Sequence, residues 1–190
     1  MTRRMVTRII VSVIALGVLA LGADRLYKRY LVWPGARVGT TTGVKDLGLW
    51  VHGDLVTTPV TDWSFLDKVR TVRVETSWHG IPYSVTVAIL KVGQQPYVYS
   101  YYFPPRPGMP DLRDRFPEAR FWNQNVARDP RVRIQIQNQV FEQRLVHVTD
   151  PREQEACEQS LLAMSTLWAK DRELPQERRP RPHFLRIEPR

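Results

Sequence analysis

The sequence predicts a mainly β (α+β) domain, a six-stranded antiparallel β-barrel with a C-terminal amphipathic helix, preceded by one N-terminal apolar helix. Three observations predict it. Apolar and polar residues alternate over much of residues 44–190, the period of half-buried strands. Turn signals separate those segments at short intervals. The uncharged run Ile9–Ala23 (IIVSVIALGVLALGA) stands apart from both patterns.

As a helix that run is about 22 Å long at roughly 1.5 Å per residue, short of a hydrocarbon core of about 30 Å. It spans a bilayer only if Met5, Val6, Leu26 and Tyr27 extend it while flanking arginines snorkel. Arg3, Arg4 and Arg8 ahead of it, with small residues at Ala20 and Gly22, also fit a cleaved export signal. Leu26, Tyr27, Tyr30, Leu31 and Trp33 continue the interfacial character past that site, which favours an uncleaved anchor. Residues 1–33 are therefore read as a single-pass membrane anchor in contact with lipid, the alternative being export after signal cleavage. Residues 34–43, with Pro34, three glycines and three threonines between Trp33 and Gly43, read as a linker, and the domain occupies 44–190.

In Thr71–Trp78 the residues Val72, Val74, Thr76 and Trp78 alternate with Thr71, Arg73, Glu75 and Ser77. His79–Pro82 turns the chain into Tyr83–Val92, with Val85, Val87 and Ile89 on one face, and the two segments are expected to pair as a hairpin. Gly93–Pro96 leads into the aromatic strand Tyr97–Tyr102. Val132, Ile134 and Ile136 alternate with Arg131, Arg133, Gln135 and Gln137, and Asn138–Gln139 is expected to close a tight turn into Val140–Thr149. Leu47–Val56 and His183–Glu188 are weaker strand candidates. Closure into a barrel removes the exposed edges that an open sheet of such strands leaves.

Two helices interrupt the strands. Phe121–Arg128 stops at Asp129-Pro130, because proline disfavours helical backbone in the residue before it. Asp150 as N-cap, Pro151 at the first position and Glu153 two residues later start a helix expected to run to about Lys170. Its stripe Cys157, Leu161, Met164 and Trp168 suits packing on the barrel. Phe103–Ala119, with five prolines and six charged side chains, reads as either a functional lid or a disordered insert.

The net charge of +9 is uneven: residues 1–37 carry +6, residues 170–190 carry +3, and the 132 residues between sum to zero. Basic tails around a neutral body point to anionic lipid or to solubility, and no nucleic-acid partner is expected. The single cysteine, Cys157, excludes an intrachain disulfide and a thiolate metal cluster, and no metal site is expected. No local motif of metallohydrolase, nucleophile-elbow, phosphate-loop or dinucleotide-binding type occurs.

Residues 122–132, Trp122-Asn123-Gln124-Asn125-Val126-Ala127-Arg128-Asp129-Pro130-Arg131-Val132, fit a W-x-x-N-(L/V)-x-x-(D/N)-P-x-V pattern, a short helix running into a strand. In this motif, and in element order from about Asp62 to Trp168, the chain resembles deazaflavin-dependent nitroreductase-like proteins and the related pyridoxamine phosphate oxidase-like split β-barrels. The resemblance implies FMN or a deazaflavin held in a cleft between barrel strands, hydride or electron transfer to a quinone-like or nitro-type acceptor, and a homodimer. On that basis Ser84, Thr86 and Ser100 are the candidates for the ring's pyrimidine edge. Tyr99, Tyr101 and Trp122 are those for its wall, and Arg128, Arg106 or Arg120 for its phosphate, with Asn125 the family asparagine. The turn at Thr76–Pro82 departs from the family pattern, which is rich in Lys and Arg there, and offers only His79. The expected function is a membrane-tethered flavin- or deazaflavin-binding oxidoreductase of nitroreductase or quinone-reductase type. The alternative is a non-catalytic split-barrel binding or scaffold protein that has lost the cofactor. Packing is the commoner role of residues such as Trp122 and the tyrosines, and Arg128 also serves to complement the helix dipole.

Overall fold

The computed structural model describes residues 50–190 other than Arg106, together with Gly17 and Leu19. The chain divides into two units, Met1–Val38 and Gly39–Arg190, and the second carries the elements that follow. Among the described residues no helix is long and apolar enough to cross a membrane. Apart from Gly17 and Leu19, the proposed anchor and the linker lie outside those residues.

Among the described residues seven strands form one sheet: β1 (Asp54–Val56), β2 (Thr71–Trp78), β3 (Ile81–Val92), β4 (Gln95–Tyr102), β5 (Arg131–Ile136), β6 (Gln139–His147) and β7 (Arg181–Pro189). The order β6-β5-β2-β3-β4-β7 closes on itself through β6–β7 pairing, so six antiparallel strands make a barrel. The seventh, β1, lies parallel to β6 outside the cylinder. β6 is shared along one edge: Gln143–His147 face β7, while Gln139–Phe141 extend beyond it and receive β1.

Turn chemistry sets the registers. His79 and Gly80 both adopt left-handed φ, 49° and 81°, the geometry of a two-residue hairpin turn matched to strand twist. Trp78 therefore pairs with Ile81, and the strand takes in Ile81 and Pro82, two residues of the expected turn. The next hairpin turns at Gly93–Gln94, and the third at Gln137–Asn138, one residue earlier than expected, with Gln137 at φ 55°. Among the described residues of the expected strand Leu47–Val56, Asp54–Val56 form the strand. Gly53 precedes them at φ 149°, where an added Cβ would stand 2.4 Å from the carbonyl oxygen of Asn138. That close approach lets the Asp54 amide donate to the same oxygen at 2.7 Å.

Alternation along each strand sends one set of side chains inward. Val72 and Val74 of β2, Val87 and Ile89 of β3, Val98 of β4, Val132, Ile134 and Ile136 of β5, Phe141 and Leu145 of β6, and Leu185 and Ile187 of β7 fill the cylinder. Each large apolar side chain so enclosed contributes about 1.5–3 kcal/mol. One end of the cylinder is plugged by α1 (Phe121–Arg128), whose Trp122, Asn123, Asn125 and Val126 are buried. Trp63 and Leu66, on or beside the 3₁₀ turn Ser64–Lys68, join the core at the other end.

A second apolar layer lies outside the wall, where α2 (Pro151–Met164) and α3 (Thr166–Glu173) cover β3, β4 and β7. Asp150 caps α2 by accepting from the Glu153 amide at 2.9 Å. The single helix expected to Lys170 is interrupted at Ser165, whose backbone leaves helical geometry and whose hydroxyl accepts from the Trp168 amide at 3.2 Å, starting α3. Cys157, Leu161 and Trp168 of the expected stripe are buried against Leu90, Tyr97 and Phe184, while Met164 is half-buried. Glu153 fastens α2 to the wall, accepting from the Tyr97 hydroxyl at 2.8 Å and from both contacts of Arg186 Nη1 at 2.8 Å.

The proline-rich segment 103–119 packs on the barrel. Arg113 Nη1 donates to the carbonyls of Gln176 (2.8 Å) and Arg179 (2.9 Å), and Phe116 stacks on His147 with ring centres 3.7 Å apart.

Candidate functional site

Polar side chains gather at the end plugged by α1. Asn123 Nδ2 donates to Ser100 Oγ (2.8 Å) and Tyr102 Oη (2.9 Å), and Asn125 Nδ2 donates to Thr76 Oγ1 (3.1 Å). Both asparagines are wholly buried, and the Oδ1 atom of each is without a partner among the described residues. Burial, opposed by the Asn123 hydrogen bond, pushes the Tyr102 phenol up to about 12.

Beside them His147 Nε2 and His183 Nδ1 stand 3.2 Å apart, and His183 Nε2 lies 2.7 Å from the carbonyl oxygen of Arg113. A carbonyl only accepts, so His183 carries its proton on Nε2, and its Nδ1 accepts from His147 Nε2–H. Burial and then the neighbouring His183 lower His147 to about 4. Burial lowers His183 as well, against the opposing effect of its bond to Arg113. Both imidazoles are thus neutral at pH 7, in a donor chain that ends on the backbone of segment 103–119.

The outer wall of the β2–β3 hairpin carries a different set. Arg73 Nη2 donates to Ser84 Oγ at 2.9 Å, and Thr86 stands directly across the ladder from Arg73. Glu75, opposite Ser84, accepts from the Val51 amide at 2.6 Å and pairs with Arg133 at 3.6 Å. Next to this patch a cavity of about 430 Å³ is bordered by Trp50, Glu75, Gly80, Arg131, Arg133 and Arg190 among others.

The candidates Ser84, Thr86, Ser100, Tyr101, Trp122, Asn125 and Arg128 do not come together. Ser100 and Tyr101 are neighbours on β4, so the pleat sends them to opposite sides of the wall. Ser100 points inward to Asn123, while Tyr101 lies outside in the layer with Trp168, ring centres 5.5 Å apart. Trp122 and Asn125 belong to the interior. Ser84 and Thr86 face outward, and Arg128 is exposed at the end of α1. Of the further candidates, Tyr99 sits in the outer layer, Arg120 Nη2 donates to the Tyr101 carbonyl at 2.7 Å, and Arg106 lies outside the described residues.

Tested against a flavin-type group, the set fits in part. The Arg73–Ser84–Thr86 patch supplies a cation and hydroxyls on one face, the donor chemistry of a phosphate or ribityl site. No single ring plane touches Ser100, Tyr101 and Trp122 together, because the barrel wall stands between them. Among the described residues no group of three or more His, Cys, Asp or Glu is placed to hold a metal ion.

Comparison of the chain with protein-family models, curated proteins and solved structures finds no match.

Two features went unread in the sequence. Arg73 was legible, since strict alternation places it on the face of Glu75 and away from Val72 and Val74, and the hairpin register then sets it beside Ser84 and Thr86. The His147–His183 pair was not, because the two residues are 36 positions apart and meet only when β7 closes against β6.

Proposed function

We propose that this protein is a flavin- or deazaflavin-binding barrel oxidoreductase of nitroreductase or quinone-reductase type, tethered to the membrane by its N-terminal apolar segment. The observation that carries the reading is the 2.9 Å contact of Arg73 with Ser84, with Thr86 opposite, on the outer wall of a closed six-stranded barrel. A guanidinium oriented by a hydroxyl recognises a phosphate by charge-assisted hydrogen bonds. Ser84 is wholly buried, so its role here is to aim Arg73, with Arg73 and Thr86 making the contact. When bound, the cofactor supplies hydride or electron transfer to a quinone-like or nitro-type acceptor. The W-x-x-N motif supports the reading through the scaffold: Trp122 and Asn125 fix α1 in the barrel end.

The test is the visible spectrum and thermal stability of the purified full chain with FMN and with a deazaflavin. Binding at 100 times Kd stabilises by about 2.7 kcal/mol, and Arg73→Ala is expected to weaken it about tenfold or more through the lost charged contact. A colourless protein that neither cofactor stabilises overturns the proposal.

A second reading, a homodimeric split-barrel binding or scaffold protein without catalysis, is favoured by one observation. The polar candidates are divided between the two sides of the wall, and the turn His79–Gly80 offers no Lys or Arg. It predicts ligand-dependent stabilisation with no turnover of quinone or nitro acceptors.

A further inference from the structure

The end of the barrel away from α1 holds a cavity of about 730 Å³, within the range of small-molecule sites. Its walls are the chain from Leu55 to Trp63, the turn before β4, and the adjoining ends of β6 and β7. Val56, Val60, Trp63, Pro96 and Ile187 form the apolar part of its lining, beside Thr57, Thr58 and Thr61. One polar side chain there is anomalous. Gln143 lies on the inward face of β6, between Phe141 and Leu145, and is only 8% exposed, yet its amide has no hydrogen-bond partner among the described residues. Gln95, also in the lining, is already engaged, its Nε2 donating to the Ile187 carbonyl at 2.6 Å. The charges at the rim are compensated, with Arg190 Nη1 3.0 Å from Glu142 Oε2.

A primary amide that opens on the cavity with no protein partner leaves its hydrogen bonds to whatever fills that cavity, and a ligand that completes them gains accordingly. A lining without an unpaired charge disfavours ions, because a buried charge needs a counter-charge. We propose that this mouth binds a small uncharged molecule with a flat or branched apolar body and a single carbonyl, the body lying against Trp63 and Ile187 and the carbonyl accepting from Gln143 Nε2. This site is independent of the outer-wall reading, since none of Arg73, Ser84 and Thr86 lines the cavity.

Benzophenone has this chemistry and cross-links under near-ultraviolet light, so it is both ligand and reporter. The full chain is irradiated over a range of benzophenone concentrations and the labelled peptides are mapped by mass spectrometry. Saturable labelling is expected within residues 55–63, 94–96, 142–143 or 187. Gln143→Leu is expected to raise the half-saturating concentration roughly fivefold, the worth of one hydrogen bond to a buried group. Competition in the wild-type chain needs no variant: fluorenone, which differs from fluorene by its carbonyl, should displace the label at roughly one-fifth of the fluorene concentration. The proposal is overturned if labelling never saturates at these segments, if Gln143→Leu leaves saturation unchanged, or if fluorene competes as well as fluorenone. Loss of this site leaves cofactor binding at Arg73 untouched, so the two proposals fail separately.

Discussion

Acidification should act first on the imidazole pair under Phe116. In the folded protein His147 titrates at about 4, and His183 below its ordinary 6.5, because burial disfavours their charged forms. Once unfolded, both take up protons near 6.5. The unfolded state then binds more protons than the folded one below about pH 6.5, so stability is fully present above that pH and is lost as pH falls toward 4. For His147 the difference of about 2.5 in pKa corresponds to about 3.4 kcal/mol at roughly 1.36 kcal/mol each, and water at its half-buried edge reduces this to about 2 kcal/mol. The structural target is specific: a charged His183 carries protons on both nitrogens, so its Nδ1 can no longer accept from His147. Carboxylates held low by arginine partners, Glu188 by Arg144, Asp129 by Arg131 and Asp111 by Arg113, protonate below this window. Urea unfolding of the full chain at several pH values from about 7.5 to 4.5 measures the effect. His147→Gln retains an amide donor for His183 but does not titrate, and should lose roughly half as much stability over the same range. Equal losses in the variant and the wild type, or a flat wild-type profile, refute the reasoning.

Three other outcomes follow from the packing. Cys157 is wholly buried and its thiol is pushed up to about 12, first by burial and then by Glu153 and Glu158, so it should resist Ellman's reagent at pH 8 until denaturant is added. Gly53→Ala, which forces a Cβ to within 2.4 Å of the Asn138 carbonyl oxygen at an unfavourable φ, should cost about 1–3 kcal/mol in urea unfolding and expose the β1 amides to hydrogen exchange. Glu153→Ala strips the shared acceptor from Tyr97 and Arg186, and should destabilise by about 2 kcal/mol in the same assay, whereas Glu155→Ala on the exposed side of α2 should change stability by less than about 0.5 kcal/mol.

The period-two pattern made the barrel strands readable, because each carries one face into a single core; Val132, Ile134 and Ile136 are unambiguous even in isolation. The start of α2 was legible for the same local reason, Asp150 and Pro151 acting on their own helix. Local signals failed where tertiary pairing decides. Asp54–Val56 becomes a strand only because β6 outruns β7 and offers an unpaired edge, and nothing within Leu47–Val56 encodes that. Ser165 breaks the helix by capping α3 with its hydroxyl, a competition between side chain and backbone that the apolar stripe conceals. The candidate site was less legible than the fold. The pleat sends Ser100 and Tyr101 to opposite sides of the wall, and the same pleat, applied to β2, singles out Arg73.

The last strand has a kinetic consequence. β7 hydrogen-bonds to β4 on one side and β6 on the other, so residues 181–189 make two seams of the cylinder at once. During synthesis every earlier strand emerges before either seam can form, leaving β4 and β6 as bare edges, each a template for another nascent chain. Until those nine residues dock, the sheet is an open curl, and any agent that competes for their backbone acts on assembly of the whole cylinder.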